Sequence, residues 1–217
     1  MKNRFLTILT LALVVTFASC KDKAQEAETT EAEAAAEVTE VSTKYLVDTE
    51  ASTIMWKGFK PTGSHVGNIK IESGVFTMNG DAIESGSFLI DMASINVTDI
   101  PAEDEGNAKL AGHLKSPDFF DVEAFPASAF EVTSFTSENG KMMLSGNLKM
   151  KDVENNISIP VMVSENNDTI TITSESFSVD RSKWNIKYGS KSFFDDLGDK
   201  FINDDMELQI KITANKA

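Results

Sequence analysis

The sequence predicts an all-β fold: about eight antiparallel strands closed into a barrel, with one helical insert. Three observations predict it. Apolar and polar residues alternate over much of the chain after residue 44. Asn-Gly and Asn-Asn-Asp turns separate the alternating runs. Only one stretch has the makings of a helix, too little to cover a large sheet, so the sheet's apolar face must pack on another sheet or close on itself.

In chain order, Lys2 and Arg4 precede an apolar run, Phe5 to Phe17, broken only by Thr7, Thr10 and Thr16. At about 13 residues the run is short of the roughly 20 that span a bilayer. Ala18 and Ser19 then lead into Cys20, the single cysteine of the chain. That is the layout of a secretory signal. Phe17-Ala18-Ser19-Cys20 resembles the lipobox of bacterial lipoproteins, whose cysteine is acylated, although Phe17 stands where Leu is usual. The resemblance implies export and a membrane anchor at Cys20, in the cell envelope, facing the periplasm or the surface. Residues 21–43 consist mostly of Lys, Glu, Ala and Thr and hold no aromatic residue. They are expected to form a disordered acidic tether, because they bury too little apolar surface to offset ordering entropy. Residues 44–217 are expected to fold as one domain.

Within that domain Ile54 and Trp56 share a face, as do Phe88, Ile90 and Met92. The cleanest strand is 141–151. Met142, Leu144, Gly146, Leu148 and Met150 fall on one face, and Lys141, Ser145, Asn147, Lys149 and Lys151 on the other. Ile157, Ile159, Val161 and Val163 repeat the pattern, and so do Met206, Leu208, Ile210, Ile212 and Ala214. One buried and one wet face is the mark of antiparallel sheet. Asn79-Gly80, Asn139-Gly140 and Asn166-Asn167-Asp168 supply turns. Parity shifts at Gly74 and over Ser174–Ser176 predict bulges.

Residues 101–115 predict the helix: Pro101 opens it, Glu103, Asp104 and Glu105 come early, and Lys109, His113 and Lys115 come late. Ser116-Pro117 should end it, and Phe119, Phe120, Phe125 and Phe130 should dock it on the sheet. A short helical turn is expected near Phe193 and Phe194.

The chain is acidic, with a net charge of −14. The first twenty residues hold two of the 20 bases and no acid, so beyond them 18 bases face 34 acids, a net of −16. Such a surface repels phosphate backbones, and nucleic acid is excluded as a partner. No cysteine follows Cys20, so the domain has neither disulfides nor thiolate metal ligands. Phosphate-binding loops, the Gly-x-Ser-x-Gly elbow and the dinucleotide fingerprint are absent, and no cofactor is expected. Asn96-Val97-Thr98, Asn156-Ile157-Ser158 and Asn167-Asp168-Thr169 read as turn and strand-end chemistry rather than glycosylation sites.

Several segments together resemble the YceI-like family. They are Tyr45-Leu46-Val47-Asp48, Ile54-Met55-Trp56, Gly63-Ser64-His65-Val66-Gly67 and Gly86-Ser87-Phe88-Leu89-Ile90-Asp91-Met92. Leu110 to Asp121, with Gly112-His113-Leu114-Lys115-Ser116-Pro117 at its centre, is the most specific. Phe125-Pro126, Ser145 to Lys151 and Arg181-Ser182-Lys183-Trp184-Asn185-Ile186 complete the set, covering 44–217 in order. Asp152 departs from the family's usual Gly, and the tether and Cys20 resemble lipoprotein members from Bacteroidetes-type bacteria. The resemblance implies a lipocalin-like, eight-stranded antiparallel barrel that binds a polyisoprenoid, an isoprenoid quinone or a similar long amphiphile, with no established catalytic residues.

On that footing Trp56, Phe59, Phe88, Ile90, Met142, Leu144, Leu148, Trp184 and Tyr188 are the candidates for lining a ligand cavity. His65, His113 and Arg181 are the candidates for a polar headgroup. Each histidine could equally be held by a backbone carbonyl, and Arg181 could pair with Asp180 or another acid to lock the barrel. Two other functions compete. One is a structural or stress-response envelope lipoprotein with a filled barrel. The other is an enzyme with a metal ion held by His65 and His113. Neither a bound metal nor catalysis is expected, and a homodimer is an admissible assembly.

Overall fold

The computed structural model describes residues 24–39, 41–138 and 140–217. The expected signal, Cys20 and its lipobox, and Asn139 of one turn lie outside the described residues. In chain order the strands are β1 (Gln25–Glu26), β2 (Glu28–Glu31), β3 (Thr43–Val47), β4 (Thr53–Lys60), β5 (Gly63–Asn79) and β6 (Ala82–Val97). Helix α1 (Glu105–Lys115) follows. Then come β7 (Ala127–Glu138), β8 (Lys141–Met150), β9 (Val153–Asn166), β10 (Thr169–Ser174), β11 (Phe177–Asp180) and β12 (Asp205–Lys216).

The alternation becomes a closed wall. Antiparallel pairs run from β12 through β10, β9, β8, β7 and β6 to β5, and β5 returns to β12 through β3 and β4. β3 and β4 are one interrupted strand, each lying between β5 and β12. β10 and β11 are another, both paired to β12. The wall therefore has eight positions, and closure leaves no free edge along it. The break from Ser174 to Phe177 falls at the second predicted parity shift. The first appears as a register shift between Ile71 and Ser73, beside Gly74.

The tether expectation is corrected over its described part. Gln25 and Glu26 pair in parallel with Phe177 and Ser178 of β11, and residues 28–31 pair antiparallel with Ser158 to Asn155 of β9. This segment fills the gap left where β11 no longer reaches β9. Ala27 between the two strands is 3% exposed. The chain then crosses the outer wall: Glu33 N–H donates to Asn147 Oδ1 (3.0 Å), Asn147 Nδ2 donates to Glu33 O (2.7 Å), and Ala36 N–H donates to Val132 O (3.0 Å). Asn147 and Asn156 sit on the face that alternation assigns to water, yet both are buried. Ordering of this acidic segment comes from backbone pairing and from these two amides, not from apolar area.

The helix also starts later than Pro101. Pro101 and Asp104 close a turn, Asp104 N–H to Pro101 O at 3.0 Å, and the Asp104 carboxylate then caps α1 by accepting from Gly106 N–H at 2.7 Å. Ser116 ends it, its hydroxyl donating to His113 O at 2.8 Å. Helical geometry near Phe193 and Phe194 is limited to hydrogen-bonded turns, and the 3₁₀ turn comes at Gly198–Lys200. Gly189, Asp196 and Gly198 adopt positive φ in that stretch, which a continuous helix does not allow.

Candidate functional site

The core fills one end of the barrel and not the other. Tyr45, Phe76, Phe88 and Phe130 stack in succession, with ring centroids 5.5, 6.2 and 6.3 Å apart, toward the end where β5 meets β6. At the opposite end, where β4 turns into β5 and β6 runs into α1, a cavity of about 550 Å³ opens. Ile54, Trp56, Ile69, Ile90, Leu148 and Leu208 form its wall. A smaller void of about 80 Å³ lies deeper and shares Ile54, Ile90, Leu148 and Leu208 with it.

Local sequence explains the cover. Asn107 of α1 donates from Nδ2 to Val97 O (3.1 Å) and Ile100 O (2.7 Å), tying the helix to the end of β6. Leu110 and Leu114, one turn apart, then face the cavity. After the helix, Phe120 N–H donates to Leu114 O at 3.1 Å, folding Phe119 and Phe120 under it.

The polar lining is one-sided. Lys57, Lys60, Lys109, His65, His113 and Arg181 line the cavity, and among the described residues no Asp or Glu does. Most of these side chains are tied elsewhere. Lys109 pairs with Glu105 at 2.9 Å on the exposed helix face. His65 Nδ1 lies 3.0 Å from Asp99, whose other oxygen accepts the Val66 N–H at 3.1 Å. Burial pushes the Asp99 carboxyl up, but the Val66 N–H and His65 outweigh it and the net displacement is downward. His113 Nε2 is 4.0 Å from Asp118, and its ring meets Tyr188 edge-on at 4.5 Å. The histidines thus face different carboxylates, and no group of three metal-ligating side chains occurs among the described residues.

Arg181 is wholly buried and acts as a lock. Nε donates to Asn203 O (3.1 Å), Nη1 to Ile186 O (2.6 Å) and Nη2 to Ile202 O (3.1 Å). Its ion-pair partner is Asp204, at 3.3 Å, and the guanidinium lies over Phe119 at 5.1 Å. Asp180 instead caps the following 3₁₀ turn through Ser182 N–H. Burial lowers the pKa of Arg181, and the charges of Asp204 and Asp180 oppose that shift.

Of the lining candidates, Trp56, Phe59, Ile90 and Leu148 border the main cavity, and Phe88 and Leu144 border the deeper void. Met142, Trp184 and Tyr188 border neither. Trp184 is buried in the 3₁₀ turn Arg181–Trp184, where Nε1 donates to Leu148 O at 2.9 Å, so it closes the wall from behind. Tyr188 is 44% exposed and packs on His113 outside the cavity. Met142 sits near the packed end, paired with Val161 beside the β7–β8 turn. Ile202 and Met206 line the main cavity too. Met206 lies on the apolar face that alternation assigns to its strand, whereas Ile202 lies in an irregular segment with no period to read.

An antiparallel barrel packed at one end, hollow at the other and capped there by a single helix is a lipocalin-like barrel. The YceI-like domain matches residues 45–214, and the chain belongs to that family. Among solved structures it resembles BcnA of Burkholderia cenocepacia, with a TM-score of 0.59 and 20% identity over 78% of this chain and 99% of BcnA. It also resembles a polyisoprenoid binding domain from Saccharophagus degradans implicated in plant cell wall breakdown, with a TM-score of 0.57 and 12% identity over 80% of this chain and 98% of that one. At these identities the likeness establishes the fold. Comparison with the curated proteins finds no match.

Proposed function

We propose that the protein holds a long apolar amphiphile, of the polyisoprenoid or isoprenoid-quinone type, in the hollow end of its barrel. The observation that carries this is the apolar cavity of about 550 Å³, within the range of about 300–1,000 Å³ of ligand sites. A filled structural barrel does not match a void of that size. Family membership and the name of the Saccharophagus degradans neighbour support the same ligand class. Each CH₂ group removed from water contributes about 0.8 kcal/mol, so several isoprene units bind firmly with little polar recognition. A lining with lysines and no carboxylate suits a head that accepts hydrogen bonds.

Acylation of Cys20 would hold this barrel at a membrane of the cell envelope. Between Cys20 and Gln25 the chain spans at most about 18 Å when fully extended, so the barrel stays close to the bilayer in which such ligands dissolve. Cys20→Ser is expected to abolish fatty-acid labelling of the protein and to leave its melting temperature unchanged. The ligand is tested by organic extraction and mass spectrometry of the protein isolated from its native membranes. One amphiphile per chain is expected. An extract free of lipid, from protein that also takes up neither prenol nor quinone when offered them, removes the proposal.

A further inference from the structure

Nine large apolar side chains are exposed among the described residues, and six of them, such as Met55 and Met162, are aliphatic and spread over separate parts of the chain. The other three are aromatic and close in sequence: Tyr188 (44% exposed), Phe193 (40%) and Phe194 (49%). Phe193 and Phe194 belong to the loop that borders the cavity mouth, and Tyr188 immediately precedes it. Ile202 N–H donates to Gly189 O at 2.8 Å and pinches residues 189–202 into a closed loop. The pinch requires Gly189, which has a φ of +63° and whose Cβ, if present, would lie 3.2 Å from Ile202 Cγ1.

The tip is held out rather than left loose. Ser190 is fully buried and its hydroxyl accepts the Ser192 N–H at 3.1 Å. Ser192 in turn donates to Asp204 at 2.7 Å, and Asp204 is paired with Arg181. The loop is joined to the mouth on both sides: Tyr188 packs on His113, and Asn203 N–H donates to Phe59 O at 2.9 Å. Lysines accompany the rings. Lys187 Nζ lies 4.9 Å from the Phe193 centroid and Lys191 Nζ 3.6 Å from that of Phe201. Over 187–201, Lys187, Lys191 and Lys200 balance Asp195, Asp196 and Asp199, so this patch is neutral on a chain of net charge −14.

Exposed aromatic rings with lysine ammonium groups close by, without net charge, suit the interfacial layer of a bilayer, where amphipathic rings and ammonium groups meet the headgroups. We infer that the Gly189–Ile202 loop is a membrane-docking loop. It seats the cavity mouth on a phospholipid surface independently of the acyl anchor, so that an amphiphile passes between bilayer and barrel without crossing water. The docking stands on the loop's own geometry, and its purpose rests on the ligand reading above.

The test uses the chain from Lys21 on, which lacks both the apolar run Phe5–Phe17 and the acylated cysteine and keeps the whole described fold, and vesicles of pure phosphatidylcholine. The parent chain should co-sediment with the vesicles, and Phe193→Ser/Phe194→Ser should lower the partition coefficient about tenfold or more without lowering the melting temperature. Met162→Ser, an exposed apolar residue elsewhere, should leave it unchanged. Parent-like binding by the double variant, or no vesicle binding by the parent, overturns the inference. So does a dimer of the parent that the double variant abolishes, since the patch would then be a self-interface. Uptake of a prenol from detergent micelles needs no bilayer and should survive in the double variant. Its failure in the parent counts against the ligand reading instead.

Discussion

The packed and hollow ends of the barrel use the same strands, and Gly146 and Gly86 in the first are put to the opposite use from Gly58 in the second. In the packed half a Cβ on Gly146 would lie 2.3 Å from Phe130 Cζ and 2.7 Å from Glu131 O, and one on Gly86 would lie 2.8 Å from Phe76 Cβ. Those glycines make room for aromatic rings of the same chain. At the mouth a Cβ on Gly58 would meet nothing within 4 Å, although Gly58 borders the cavity. That glycine leaves room for something the chain does not supply. One end specifies the fold and the other withholds side-chain volume from it, so stability and ligand capacity should be separable by mutation.

The largest effect is expected from the packed end. Phe76→Ala removes a buried ring from the middle of the stack and should cost about 3–5 kcal/mol in urea unfolding. Gly146→Val comes next. One of its clashes is with backbone, which cannot rotate away, and overpacking of about 1–3 kcal/mol is expected in the same measurement. Comparable losses from substitutions at the mouth would erase the distinction between the ends.

The N-terminal crossing ranks third. Asn147→Ala leaves Glu33 without both of its partners and Asn156 without one, at a cost of about 1–3 kcal/mol. Amide exchange of residues 28–36 should accelerate more than that of β5 or β6.

Acid should act modestly at the mouth. The folded pKa of Asp99 is below its ordinary value of 3.8, so its contribution is complete above that value and is lost as pH falls through the folded pKa. Asp99→Asn should therefore flatten the loss of stability below about pH 4 relative to the parent, as followed by thermal melts against pH. An unchanged acid limb would show that the charge of Asp99, facing Val66 N–H and His65, adds nothing to folding.

Much of this was legible from alternation alone. The strand expected over 141–151 is β8, and the inward sides of β9 and β12 were placed residue by residue. Alternation reports which face is apolar, not whether the space it encloses is full, so filled and hollow barrels looked alike. It also treats every polar face as wet, which hid the roles of Asn147 and Asn156 beneath the N-terminal crossing. That crossing reads as disorder in composition because its ordering is carried by backbone groups that every residue has. Around the cavity, parity puts Trp56 and Leu148 on the inner face, where they line it. The directions of Trp184 and Tyr188 are not legible, because residues 181–189 have no period to say which way a ring turns.

The most direct test of the central claim is lipid content compared between the parent and Gly58→Trp, both purified from the same membranes. Volume added at Gly58 enters open space in the cavity. The variant should stay within about 0.5 kcal/mol of the parent in unfolding free energy, while the co-purified amphiphile falls from one per chain to a small fraction. Equal lipid in both proteins, with the indole shown to occupy the cavity, would contradict the claim that this space is the binding site.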